Sequence, residues 1–165
     1  MLKNLNIQAL AQEGATLTGT TPLQDLERLS HELQDVLADS SVNWRLHWEL
    51  RAGVSGGQDV WLNLQAQAVL PLKCQRCMGT LHEPVDIDYW FRFVQTEAQA
   101  LEQEESCEED LLVVEPKFDA QALLEDELIM AQPLVALHDA CPAPVLLTQE
   151  SEIPHPFAVL AKLKK

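Results

Sequence analysis

The sequence predicts an α+β fold: an antiparallel β-meander of at least three strands, two packing helices and a C-terminal tail. Three observations carry this expectation. From Val42 onwards apolar residues recur at every second position in three successive runs, the period of a strand with one buried face. Leucines recur at helical spacing before and after those runs, and residues 142–156 hold four prolines with no period at all. Residues 1–141 therefore read as one α+β domain, and 142–165 as a proline-rich linker followed by a basic, apolar tail.

Residues 1–20 are polar apart from Leu2, Leu5, Ile7 and Leu10, a pattern that fits an edge strand or a loose arm. Thr21, Pro22 and Gln24 then suggest a capping box with proline at the first helical position. Leu23, Leu26, Leu29, Leu33, Val36 and Leu37 extend the period into an amphipathic helix over about 22–38.

The first strand runs through Val42, Trp44, Leu46, Trp48 and Leu50. Residues 53–57, Gly-Val-Ser-Gly-Gly, turn the chain. The second strand alternates from Val60 to Leu72, and the third runs through Val85, Ile87, Tyr89, Phe91 and Phe93. Short turns between such runs make a meander. By parity the opposite face carries Arg45, His47, Arg51, Trp61, Asn63, Gln65, Gln67, Trp90 and Arg92. Guanidinium groups beside tryptophans suit single-stranded RNA, whose bases stack on aromatics while its phosphates meet cations. A helix lying over both tryptophans is the alternative.

Between Glu97 and Asp110 the chain is acidic and poor in apolar residues, which predicts a mobile loop. Leu111–Val114 fits a short returning strand. Asp119 can cap a second helix over 120–131, with Glu125, Asp126 and Glu127 exposed, and Pro133 ends it.

Lys73-Cys74-Gln75-Arg76-Cys77 falls between the second and third strands. Two thiols so spaced on a tight reversal can share one metal ion or pair as a redox disulfide. Redox motifs of that kind open a helix after a parallel strand, and nothing here suggests one. His138-x-x-Cys141 supplies a second pair, so Cys74, Cys77, His138 and Cys141 form a Cys3His set that suits one structural zinc. Lys73 and Arg76 would favour thiolates by charge and could also meet phosphate. Unmetallated cysteines flanking a hairpin are the alternative. No nucleophile motif, phosphate loop or catalytic carboxylate pair stands out, so neither an enzyme nor a small-molecule substrate is expected.

The chain has 165 residues, 47% of them hydrophobic, and a formal net charge of −15. That balance argues against indiscriminate binding to nucleic acid, which needs clustered lysine and arginine. It favours a basic partner or a local basic patch. The N-terminal residues lack the apolar core of a signal peptide, and no apolar run approaches a membrane span. Four sparse cysteines point to a reducing, cytoplasmic setting. The tail itself is basic: Phe157, Leu160 and Leu163 share a helical stripe, and Lys162, Lys164 and Lys165 end the segment. It reads as a partner-docking tail.

The segment 72–77, the acidic stretch, Leu124–Val135 with the following His138-Asp139, and Pro156–Leu160 together resemble the YceD family, in motif order over roughly residues 60–165. That family is named for large ribosomal RNA subunit accumulation. The resemblance implies a non-enzymatic bacterial factor supporting synthesis, processing or stability of 23S ribosomal RNA, with 23S rRNA or large-subunit assembly intermediates as partners. Some members carry a fuller second cysteine cluster after the proline; here His138 and Cys141 stand alone. The alternative function is an acidic protein-binding module that escorts a basic large-subunit ribosomal protein.

Overall fold

Within residues 1–20, expected as an edge strand or loose arm, the chain forms a helix first and then, from Thr16, a strand at the edge of the sheet. The structure, a computed structural model, describes residues 2–53 and 56–141. Helix α1 (Ile7–Glu13) opens on Asn6, whose side chain accepts the Ala9 N–H, and closes on Gly14 at φ 59°, a left-handed conformation that glycine adopts without strain. Strand β1 (Thr16–Pro22) follows directly.

The helix expected over 22–38 is replaced by this strand end, a 3₁₀ turn at Leu23–Asp25 and a short α2 (Glu27–Glu32). The proposed cap is otherwise engaged: Thr21 pairs with Val42 across β1 and β2 (Ser41–Ala52), and its hydroxyl accepts the indole N–H of Trp44 at 2.9 Å. Leu23, Leu26 and Leu29 are nonetheless fully buried. The leucine spacing reported burial correctly, while the backbone between those leucines breaks.

Strands β3 (Gln58–Lys73) and β4 (Thr80–Val94) are long and pair antiparallel along their length, from Trp61–Arg92 to Lys73–Thr80. Together with β1 and β2 they form the expected meander. Gly19 faces Trp44 in the β1–β2 register, and a Cβ there would lie 2.5 Å from the indole ring, so the close approach requires glycine.

The segment expected as a loop over about 97–110 contains α3 (Glu97–Gln103), capped by Thr96, and a 3₁₀ turn at Glu104–Ser106. This crossover returns as β5 (Asp110–Val113), which pairs parallel to β4 from Phe91–Asp110 to Val94–Val113. The sheet is thus mixed, in the order β1-β2-β3-β4-β5. Helix α4 (Ala120–Met130) starts on Asp119, which accepts the Gln121 and Ala122 amides at 3.0 Å.

One face of the sheet, with Leu46, Trp48, Leu62, Leu64, Ile87 and Phe91, packs with Ile7 of α1, Leu29 of α2 and Leu124 and Leu128 of α4 into a single core. Burial of this apolar surface is the main favourable term in folding. Four α-helices therefore accompany the sheet among the described residues, against the two expected. Glu125 and Glu127 are buried rather than exposed. Glu125 accepts the Leu29 N–H at 3.0 Å and meets Arg28, tying α4 to α2. Among the described residues no helix is long and apolar enough to cross a membrane. The expected linker and tail, residues 142–165, lie outside the described residues.

Candidate metal centre

The β3–β4 reversal is built by two hydrogen bonds: the Cys74 amide donates to the Gly79 carbonyl, and the Met78 amide to the Cys74 carbonyl, both at 2.9 Å. Met78 takes φ 64° to close it. The turn points Cys74 and Cys77 to one side. The chain leaving α4 comes alongside, fixed by the Gln75 N–H donating to the Ala136 carbonyl at 2.9 Å. This delivers His138 and Cys141 to the same place.

The four candidate ligand atoms lie within 4.8 Å of one another. Cys74 Sγ is 3.6 Å from Cys141 Sγ, and His138 Nδ1 is 3.4 Å from Cys77 Sγ and 3.8 Å from Cys141 Sγ. A tetrahedron drawn on ordinary zinc bond lengths has edges of about 3.8 Å between sulfurs and about 3.6 Å between sulfur and nitrogen. The donor set therefore fits that ion in number, type and spacing.

The surrounding groups prepare the donors. His138 Nε2 lies 3.0 Å from the Thr80 carbonyl; donating its proton there leaves Nδ1 as a lone pair aimed at the sulfurs. Backbone amides, first that of Cys77 and then those of His138 and Arg76, outweigh burial and hold the Cys74 thiol down to about 5. At Cys77 the Gly79 amide acts downward, but burial and the neighbouring Cys74 and Cys141 sulfurs raise the thiol. The cluster thus takes one negative charge readily and resists the next, a repulsion that a bound dication relieves. Arg76 donates from Nε to Cys141 Sγ at 3.1 Å and also bonds the His138 carbonyl. The sequence suggests the charge of Arg76 beside the thiols, but not the bonds to the Thr80 and His138 carbonyls, which join segments about 60 residues apart.

The opposite sheet face brings Arg51, Trp61 and Trp90 together. The Arg51 guanidinium lies 3.8 Å from the Trp90 ring centroid and 4.4 Å from that of Trp61, and the indoles meet edge to face at 6.3 Å. No helix over both rings is needed to enclose them; Arg51 occupies the space between them, and its Nε bonds Glu49. Arg92 is only 4% exposed. It is engaged by Glu109 at 2.6 Å, Gln103 at 2.7 Å and Asp59 at 3.5 Å, so the crossover after β4 neutralises it within the fold. Arg45 is exposed and donates to Gln65 at 3.3 Å. Lys73 and Arg76 are exposed at the hairpin tip, away from these three. Phe157, Leu160, Lys162, Leu163, Lys164 and Lys165 lie outside the described residues.

Two residues that strand parity assigns to this face were overlooked: Asp86 and Asp88. Asp88 accepts from Asn63 at 2.7 Å and Gln65 at 3.0 Å, and Asp86 from Gln67 at 3.3 Å. The face carries a ladder of amides and carboxylates rather than a basic strip.

Fold and site together define a small α+β domain in which a β-hairpin and the segment after α4 share one Cys3His cluster. The chain belongs to the family described as large ribosomal RNA subunit accumulation protein YceD, whose model matches residues 62–164, more than half its length. A Haemophilus influenzae protein named "Large ribosomal RNA subunit accumulation protein YceD" is 29% identical over 164 residues, covering 94% of this chain and 91% of that relative. No solved structure matches the chain.

Proposed function

We propose that the protein acts without catalysis in the accumulation of 23S ribosomal RNA, by holding a basic protein of the assembling large subunit rather than by gripping RNA on its sheet. The observation that carries this reading is the state of the polar sheet face. Its arginines at 51 and 92 are engaged internally, and farther along the same face Asp86 and Asp88 add carboxylates. A net charge of −15 attracts a cationic protein and repels phosphate. One zinc on Cys74, Cys77, His138 and Cys141 would be structural: all four positions come from the protein, leaving none for a substrate. It would hold the hairpin tip to the segment after α4. The setting would be the cytoplasm.

Direct RNA contact is the second reading, favoured by Lys73 and Arg76, which are exposed together at the hairpin tip. Titrating full-length protein against 23S rRNA fragments and against individual large-subunit proteins, over a range of salt, separates the two. Tight binding to a basic protein with none to RNA supports the first reading; salt-sensitive RNA binding lost in Lys73→Gln with Arg76→Gln supports the second.

A further inference from the structure

A groove of ≈ 840 Å³ lies where β2 gives out beside β3. The β2–β3 register ends at Asn43–Gln67, while β3 continues to Lys73. Beyond that point the chain after α2 approaches the open edge, with the Gln34 amide donating to the Pro71 carbonyl at 2.7 Å. The floor is apolar and open to solvent: Val69 is 53% exposed beside Pro84, and Leu37 is 61% exposed on the wall. The rim is acidic, with Asp35, Asp39 and Asp86 lining it and no lysine or arginine among the described lining residues. None of these three carboxylates forms an ion pair among the described residues; Asp35 accepts from Thr80 and Asp86 from Gln67. A second depression shares Asn43, Gln67 and Asp86 with the groove and runs on past Asp88 to Arg45, where the acidic rim ends.

We infer that this groove docks an extended, cationic segment of a partner protein, its apolar side chains on Val69, Pro84 and Leu37 and its lysines or arginines on Asp35, Asp39 and Asp86. The inference rests on the basic-partner reading above and gives it a place. Charge complementarity selects the occupant: an apolar strip rimmed by carboxylates that have no cationic partner among the described residues matches a chain alternating apolar and basic residues. An RNA strand would meet three carboxylates at the rim, and an acidic segment would be repelled likewise. An extended segment lets its alternate side chains meet the apolar floor and the acidic rim together.

The test uses full-length protein and a synthetic peptide alternating lysine with valine, followed by fluorescence anisotropy at several salt concentrations. A peptide with glutamate in place of lysine serves as control. Wild-type protein is expected to bind the lysine peptide, more weakly as salt rises, and to ignore the glutamate peptide. Asp39→Asn with Asp86→Asn is expected to weaken binding about tenfold or more, and Val69→Arg, a change at an exposed position, to abolish it. Both variants should melt as the wild type does. Unchanged binding by both overturns the groove while leaving the basic-partner reading intact; failure of every basic peptide and basic large-subunit protein to bind overturns both. Two further results also overturn the inference. Much tighter peptide binding by Lys162→Gln/Lys164→Gln/Lys165→Gln would make the chain's own C-terminal segment the occupant. A wild-type dimer that Val69→Arg dissociates would make it a second copy.

Discussion

The guanidinium of Arg51 lies 3.8 Å from the centre of the Trp90 ring, at the position a stacked base would need. Strand β2 therefore fills with its own cation the gap between two indoles borne by β3 and β4. Arg51→Ala is expected to lower stability by about 1–2 kcal/mol, the range for a partly desolvated cation–π contact, and to shift indole fluorescence as the rings gain water. If the two rings served instead as a base platform, the same change would leave stability unaltered and strengthen binding to single-stranded RNA.

Purified protein is expected to carry about one zinc per chain, since a tetrahedral set saturates at four ligands. Cys77→Ser should lose the metal and melt lower, and a chelator should act on the wild type in the same direction. Metal analysis alongside thermal melting checks this. Protein that contains no zinc, is fully folded under reducing conditions and gains nothing from added zinc would refute it.

Glu125 joins α4 to α2 by accepting the Leu29 amide and meeting Arg28. Glu125→Ala leaves that amide buried without an acceptor, which costs about 1–3 kcal/mol. Glu125→Gln keeps an acceptor oxygen and should cost less. Denaturant melts of the two variants give the comparison; equal losses would mean that the carboxylate's charge, not its acceptor role, carries the link.

Glu127 is 4% exposed. Burial, with repulsion from Asp110 and Asp126, pushes its carboxyl up to about 7. A group raised in the folded state binds its proton more tightly there than in the unfolded chain. Its contribution is full below the ordinary carboxylate range and is lost as pH rises through about 7. Glu127→Gln is therefore expected to flatten the fall in melting temperature between about pH 5 and pH 8, and to exceed the wild type at the upper end. Parallel curves for the two proteins would contradict this.

The meander was legible because Val42–Leu50, Val60–Leu72 and Val85–Phe93 each alternate with one face buried, so period and burial report the same geometry. Helix α1 was not, because seven residues give too few turns for a period to emerge. The 22–38 segment misled for a different reason: Leu23, Leu26 and Leu29 all reach the core, but they do so from a 3₁₀ turn and a short helix. At the site, cysteine and histidine side chains announce their chemistry, so the four ligands could be named together despite the distance between them. Arg92 could not be read in this way. Its neutralisation depends on Asp59 of β3, Gln103 of α3 and Glu109 just before β5 converging on it, which no local pattern contains.

His138 follows Cys77 by 61 positions, and this separation sets a clock during synthesis. At about 5–20 residues per second, a translating ribosome delivers the second ligand pair roughly 3–12 seconds after the first. Until then the hairpin's two thiols can hold an ion only incompletely, even though α4 (Ala120–Met130) has already been made. If the cluster takes a metal, four-ligand capture would be confined to chains that have been made through Cys141. A nascent chain stalled earlier would display two bare thiols, a chemical mark that distinguishes it from a finished one.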